Sequence, residues 1–355
     1  MKVLALNPGS TSTKIALFED GRELWSDTQR YDADVLGKFS SIPEQESFRL
    51  EEVRKCLKAR GADLKELDGV VGRGGLLRPI ESGTYEVGEK MLSDVRTCKW
   101  GAHASNLGAP LAVRLAEEGG CRKAFIVDPV VVDEMGPLAR YSGLPELERR
   151  SIFHALNQKM VARRAAAELG KPYEQCRMII AHMGGGISVG AHDLGRVVDV
   201  NNALDGDGPF SPERAGSLPA GELVRLYYSG RYDQNTLLKM ITGRGGLVAH
   251  LGTNDLREVE RRVAEGDEKA SLVFEAMAYH ISKEIGACAA VLEGRAEAVI
   301  LTGGLAYSEK FTSLIRNRVS FIAPVKTYPG EDEMQALADG AFRALRGEEE
   351  AKRYE

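Results

Sequence analysis

What the chain lacks narrows its class before any motif is considered. It has five cysteines, Cys56, Cys98, Cys121, Cys176 and Cys288, and no Cys-x-x-Cys pair. Odd in number and widely spaced, they exclude a disulfide framework and an iron–sulfur site, fit a reducing cytosol, and read as small buried hydrophobes. No apolar run reaches membrane-spanning length, and only one Lys and the short run Val3–Leu6 precede Asn7. That is too little for a signal peptide, so no membrane partner and a cytoplasmic location are expected. Positive charge is not in excess: 47 Lys and Arg stand against 52 Asp and Glu, a net charge of −5. Bases are interspersed with acids, which is a solvated surface and no footprint for nucleic acid. Two phosphate signatures are missing as well. The P-loop needs a second Gly before its Lys and a helix after it, and the dinucleotide fingerprint opens a helix; the N-terminal glycine loop does neither.

What is present is a hairpin. Val3 to Leu6 reads as a strand, Asn7-Pro8-Gly9-Ser10-Thr11-Ser12-Thr13 as a small polar loop, Lys14 to Phe18 as a second strand, and Asp20-Gly21 as a tight turn into a third. Such a loop, closed by Lys14, offers backbone N–H groups, hydroxyls and one ammonium to polyphosphate oxygens. Alone it is also an ordinary polar turn. A second copy changes that. Met178 to Met183 is an apolar strand, Gly184-Gly185-Gly186 a loop, Ile187 onward a second strand, and Gly195-Arg196 a turn into a third. Gly9 lies 12 residues before Gly21 and Gly184 lies 11 before Gly195, so the hairpins superpose with a one-residue gap. Repetition of a supersecondary unit marks a duplicated architecture. In a chain of 355 residues, with 43% hydrophobic and 28% charged residues, it predicts a globular protein of two domains with a phosphate hairpin in each, facing across a cleft.

Other stretches carry chemistry less plainly. Leu50 to Arg60 reads as a helix stopped by Gly61, and Gly69 to Val71 as a buried strand running into Gly72-Arg73-Gly74-Gly75, where Arg73 either reaches a cleft or sits in a surface turn. His103 precedes a helix that runs to Glu118, as a cap or as a cleft residue. Asp128 ends the apolar strand Phe125 to Val127; a carboxylate there needs a partner or a cation, or else belongs to an Asp-Pro turn. Ser151 reads as the N-cap of a helix to Leu169 that links the halves. Asn201 to Ser217 is too rich in Gly, Pro and Asp for regular structure, and Arg214 is its only cation. Short helices from Leu218 to Val263 and a long one from Lys269 to Leu292 follow. The strand from Ala298 then enters Gly303-Gly304, a turn that either lets backbone lie against a nucleoside ring or packs the strand tightly on a helix. Glu331 and Glu333 open the last helix, to Leu345, and the tail from Gly347 reads as charged and frayed.

Asn7-Pro8-Gly9-Ser10-Thr11-Ser12-Thr13-Lys14 and His182-Met183-Gly184-Gly185-Gly186-Ile187-Ser188 resemble the two signature motifs of the acetate/butyrate kinase family, within the sugar kinase, Hsp70 and actin superfamily. The likeness spans the chain, and the stretches around Arg73, Asp128 and Glu331 resemble the butyrate kinase branch. The resemblance implies an α/β, duplicated two-domain actin-like ATPase (ribonuclease H-like) fold with its active site in the interdomain cleft. Its domains would be residues 1–150, with helix 333–355 packing back on them, and a nucleotide-binding domain at 151–332. It implies phosphate-hairpin roles for Asn7, Ser10, Ser12 and Lys14, and for Gly184, Gly185 and Gly186, where Gly185 replaces an Asn of acetate kinases. Gly303 and Gly304 match the nucleoside turn, Asp128 the essential aspartate, Arg214 the catalytic arginine and His182 the histidine beside the phosphoryl group. His103 matches a further cleft histidine and Arg73 the substrate arginine. Magnesium would be oriented by Asn7, Asp128 and Glu333. The implied reaction joins ATP and a short-chain carboxylate, butyrate or a branched acid, to give an acyl phosphate and ADP, in a homo-oligomer. A carboxylate is already anionic at neutral pH and needs no general base. The alternatives are acetate or propionate as acceptor, a sugar hydroxyl deprotonated by Asp128, an ATP-driven switch of the Hsp70 and actin type, and an activator ATPase, which the missing Cys pair disfavours.

Overall fold

Asp20 and Gly21 both have positive φ (50° and 90°), and so do Leu194 and Gly195 (50° and 86°). Both pairs therefore make the two-residue turn whose twist matches that of antiparallel strands. The computed structural model describes residues 1–355 and builds each half of the chain around such a hairpin. The strands are β1 (Lys2–Pro8), β2 (Ser12–Glu19), β3 (Arg22–Arg30), β4 (Gly69–Arg73), β5 (Thr84–Glu86), β6 (Ala124–Val127), β7 (Arg177–Met183), β8 (Ile187–Asp193), β9 (Arg196–Val200), β10 (Ala298–Gly303), β11 (Val325–Pro329) and β12 (Lys352–Arg353). They form one sheet in the order β12-β5-β6-β4-β1-β2-β3 and a second in the order β11-β10-β7-β8-β9.

The core of each sheet repeats. In the first, β1-β2-β3 is antiparallel and β4 and β6 add in parallel beside β1. In the second, β7-β8-β9 is antiparallel and β10 and β11 add in parallel beside β7. Even the irregularity recurs, with a register shift between Leu17 and Phe18 in one hairpin and between Ala191 and His192 in the other. The fold is the duplicated α/β architecture of the actin-like ATPases.

Two units divide the chain: Met1–Val132 with Asp332–Glu355, and Asp133–Glu331. The division thus falls after Val132, not at 150. Residues 133–150 are bonded within the second unit: Glu134 accepts from Val197 N at 2.8 Å, and Arg149 meets Asp199 at 2.9 Å. The helix expected to link the halves lies wholly in the second unit and runs Ala155–Glu168. Its N-cap position is His154, not Ser151: Ile152 O accepts from Ala203 N at 2.9 Å and the chain bends at Phe153 before the first helical turn.

In the first unit, helices Glu46–Ala59 and Gly108–Gly119 cover one face of the sheet with Leu50, Val53, Leu57, Leu111 and Leu115 against Leu4, Leu6 and Val70. Helix Gly108–Gly119 lies so close that a Cβ on Gly72 would overlap Gly108 O, and one on Gly108 would overlap Arg73 O. Both must be glycine, and the contact fixes where Arg73 emerges. Helix Glu333–Leu345 also packs in this unit, its Gly340 O accepting from Thr84 Oγ1 at 3.1 Å. The tail is not frayed. β12 pairs with β5, and the buried Tyr354 donates to Asp94 Oδ2 at 2.8 Å. An aromatic ring with a bonded hydroxyl outweighs the charged residues around it. In the second unit, the long helix Glu268–Val291 and helix Glu309–Val319 bury Phe274, Met277, Ile281, Phe311 and Ile315 against β7, β8 and β10, while helix Ala155–Glu168 covers the other face.

Candidate active site

In the first unit the parallel strands β6, β4 and β1 lie side by side, with Leu6 opposite Gly72 and Gly72 opposite Ile126. Their C-terminal ends therefore bring Asn7, Arg73 and, one residue beyond Val127, Asp128 to one edge, where α/β sheets bind ligands. Glu333, first residue of its helix, joins two of them. Its carboxylate meets Arg73 Nη1 at 2.8 Å and accepts from Asn7 Nδ2 at 2.5 Å, and Arg73 Nη1 donates to Asn7 Oδ1 at 3.4 Å. Lys14 stands opposite Asn7 across the hairpin, so the two share a face with Ser12. Ser10 is exposed at the loop tip and Lys14 is exposed without an acidic partner. Asp128 Oδ1 accepts from Ser82 Oγ at 2.8 Å and from Gly83 N at 2.7 Å, on a backbone with φ 37°. Its carboxylate thus holds the loop before β5, and the left-handed backbone is strain of the kind that gathers at functional sites. His103 Nδ1 accepts from Ser105 N at 3.2 Å, capping the turn ahead of helix Gly108–Gly119. Desolvation first and the Arg73 cation second hold its imidazole below the usual histidine value.

In the second unit the loop arginine and the glycine hairpin are in contact. A Cβ on Gly186 would overlap the Arg214 guanidinium, so only glycine leaves room for it. Gly185 O accepts from Ser211 Oγ at 2.6 Å and from Glu213 N at 3.3 Å, which fastens the loop to the hairpin, and Gly184 N–H closes on Gly186 O at 3.0 Å. Arg214 Nη1 donates to Ala203 O, but its Nε is buried without any partner and no acid pairs with it. Burial lowers its pKa from the usual arginine value. A buried donor left unspent on a cation is costly unless a ligand takes it up.

Hydrogen-bond accounting sets the histidines. Asn157 Nδ2 donates to Glu331 O at 2.8 Å, so its Oδ1 accepts, at 2.7 Å, from a proton on His182 Nδ1. In neutral His182 the lone pair is then on Nε2, 4.0 Å from Glu331 Oε1 and directed toward Gly184. His154 stacks on His182 with ring centroids 3.8 Å apart, and its Nδ1 lies 2.9 Å from Ser188 Oγ. Gln158 Nε2 donates to Ser188 O and Oγ, so Gln158 Oε1 accepts from His192 Nε2, and Tyr173 OH donates to His192 Nδ1. Burial drives the pKa of His192 well below the ordinary histidine value, and it stays neutral.

Gly184, Gly185, Gly304 and Glu331 line a cavity of about 800 Å³, together with Glu213, Asn254 and others. That volume suits a nucleotide-sized ligand. Gly303, with φ 89°, exchanges backbone hydrogen bonds with Gly330 and turns the chain into the cavity wall at Gly304. Sequence reasoning missed Asn157, His154 and the Asn254-to-Glu260 wall. The Phe153-His154 step before an apolar helix is a signal for the first two; Asp255, which caps helix Leu256–Ala264, signals only a helix start.

Comparison with known proteins agrees with this architecture. A family model described as the Acetokinase family matches residues 145–323. Over 353 residues, 99% of both chains, the protein is 55% identical to "Butyrate kinase 2" of Clostridium acetobutylicum. It is also 55% identical over 354 residues, again 99% of both, to a "Probable butyrate kinase" of Coprothermobacter proteolyticus. Among solved structures, an acetate kinase of Porphyromonas gingivalis superposes with a TM-score of 0.78 at 22% identity, over 96% of this chain and 99% of that one. Matched along its whole length by such relatives, the chain belongs to the acetokinase family, that of the acetate and butyrate kinases.

Proposed function

We propose that the protein is a butyrate kinase: it transfers the γ-phosphoryl group of ATP reversibly to the carboxylate of butyrate or a branched four- or five-carbon acid, giving an acyl phosphate and ADP. The observation that carries this is Arg214, a buried guanidinium with an unspent donor seated on the second glycine hairpin, beside the cavity wall formed by Gly184 and Gly185. Phosphoryl transfer needs positioning and charge stabilisation more than acid–base chemistry. The carboxylate attacks in line, its charge replacing the one leaving with ADP. Arg214, and His182 when its Nε2 also carries a proton, act on the equatorial phosphoryl oxygens, Arg73 orients the acid with His103 beside it, Asn7, Ser10, Ser12 and Lys14 and likewise Gly184 to Gly186 hold phosphate oxygens, and Gly303 and Gly304 lie against the nucleoside.

The chain has no group of three or more His, Cys, Asp or Glu side chains fit to cage a metal. Magnesium would be carried in on ATP: this ion keeps most of its waters and takes one or two carboxylates beside phosphate oxygens. Glu333 and Asn7, already in contact, fit as the chain's share of that shell, with Asp128 holding the neighbouring loop. When bound, the ion neutralises charge on the β and γ oxygens. A homo-oligomer in the cytoplasm goes with this reading; no helix is long and apolar enough to cross a membrane.

Hydroxylamine trapping of the acyl phosphate, with MgATP and straight or branched acids of two to six carbons, tests the proposal. A maximum at butyrate or a branched acid is expected, and no product when EDTA replaces magnesium. A maximum at acetate would keep the chemistry and overturn the acyl preference. ATP hydrolysis without any trapped product would overturn the transfer itself. Asn157→Leu, which removes the acceptor that holds the Nδ1 proton of His182 while Nε2 donates, is expected to lower kcat by about 10²-fold. Its KM for MgATP should stay within about twofold. An unchanged kcat would show that the Asn157 contact to His182 is immaterial.

A further inference from the structure

Arg49 is fully buried in helix Glu46–Ala59, directly under the first hairpin loop. Its Nη1 donates to Gly9 O at 2.8 Å, Ser12 O at 3.0 Å and Thr13 Oγ1 at 3.2 Å. Its Nη2 donates to Ser10 O at 3.2 Å and Gln45 Oε1 at 2.9 Å, and its Nε to the same Gln45 oxygen at 3.1 Å. The guanidinium lies 5.0 Å from the centre of the Tyr31 ring. Every acceptor is neutral and no carboxylate pairs with it, so a full positive charge is buried without a counterion. Removing an ionised group from water on those terms costs much free energy unless an anion offsets it.

The loop shows where that anion belongs. A trans peptide points its C=O and N–H in opposite directions. Drawing the carbonyls of Gly9 and Ser10 onto Arg49 therefore turns the N–H groups of Ser10 and Thr11 outward, and neither has an acceptor in the chain. Consecutive outward N–H groups make a concave anion site.

We propose that Arg49 is the concealed cation of the first phosphate hairpin, a positioning residue that aims the Ser10 and Thr11 amides at the polyphosphate and whose charge the bound phosphate balances. This deepens the function proposed above and rests on it for the identity of the ligand. Arg49→Met keeps the length of the side chain, and Arg49→Lys keeps the charge. In the full-length protein, Arg49→Met is expected to raise KM for MgATP about tenfold or more, as loss of a charged contact does. KM for the carboxylate should stay within about twofold, and Arg49→Lys should recover most of the MgATP defect. A folded Arg49→Met with unchanged KM for MgATP, or equal defects in both variants, would overturn the inference. In the wild-type chain, inorganic tripolyphosphate is expected to slow amide exchange at Ser10 and Thr11, a readout independent of whether any variant folds; no slowing would also overturn it. Slowed exchange in a protein that phosphorylates no acid would sink the carboxylate reading and leave Arg49 in this role.

Discussion

Arg214→Ala is expected to lower kcat for acyl phosphate formation by about 10³ to 10⁵-fold while leaving the fold intact. The size follows from the geometry. The guanidinium lies against Gly186, is fixed at one end by Ala203 O, and keeps a buried Nε donor that no protein atom uses. A cation so held needs no reorganisation when charge develops on the phosphoryl oxygens, and that is where preorganised donors count most. The fold should survive because the backbone of the loop is pinned independently of the side chain. Ser211 N donates to Arg214 O at 3.0 Å, Arg214 N to Ser211 Oγ at 3.1 Å, and Ala215 N to Ile241 O at 2.9 Å. Arg214→Lys should recover little, since an ammonium offers a point charge in place of a planar fork. The check is single-turnover phosphoryl transfer beside an unchanged circular dichroism spectrum; near-normal turnover in Arg214→Ala would take the residue out of the chemistry.

The largest loss of stability is expected from Lys159→Met. Lys159 Nζ and Glu134 Oε2 are 2.7 Å apart with side chains only 1% and 5% exposed, and Lys159 also donates to Gly195 O at 2.8 Å. Removing the cation takes the ammonium at 2.7 Å away from a carboxylate that is nearly fully buried, and breaking such a pair costs about 3–5 kcal/mol. The penalty belongs to the buried negative charge rather than to the lost bond. The double variant Lys159→Met with Glu134→Gln should therefore regain most of the loss, because the amide oxygen still accepts from Val197 N and carries no charge. Urea unfolding of the second unit reads both. A double variant no more stable than the single one would mean that packing, not charge, sets the cost.

Much of the fold was legible because it rests on local patterns. Strand, loop, strand and a glycine turn recur at Gly21 and Gly195, and the sheets repeat around them. The loop bearing Arg214 could be recognised because no regular element tolerates so much Gly, Pro and Asp. What escaped was set by partners distant in sequence. Nothing near residue 49 says that a helix arginine faces the carbonyls of residues 9 to 12. Nothing in Glu348-Glu349-Glu350 announces that Tyr354 is buried against Asp94. The start of helix Ala155–Glu168 was misplaced because Ser151 has the chemistry of a cap, while Ile152 O is taken by Ala203 N–H and the chain bends at Phe153, so the first helical turn begins at Ala155. Asp128 shows both sides: a carboxylate at a strand end signals a special residue, yet its partners Ser82 and Gly83 lie across a loop that composition leaves blank.

The last helix has a consequence for how the protein comes into being. Glu333, which holds Asn7 and Arg73, and β12, which extends the first sheet, are both encoded after the whole of the second unit. At roughly 5–20 residues per second of synthesis, the about 200 residues of Asp133–Glu331 take about 10–40 s to emerge. Through that interval the nascent first unit waits with the face of β1 and β4 that helix Glu333–Leu345 will cover still bare, and with Arg73 lacking its acid. The unit begun first is thus completed only after the second has been made, and its competence to bind is conferred by a stretch that follows Glu331.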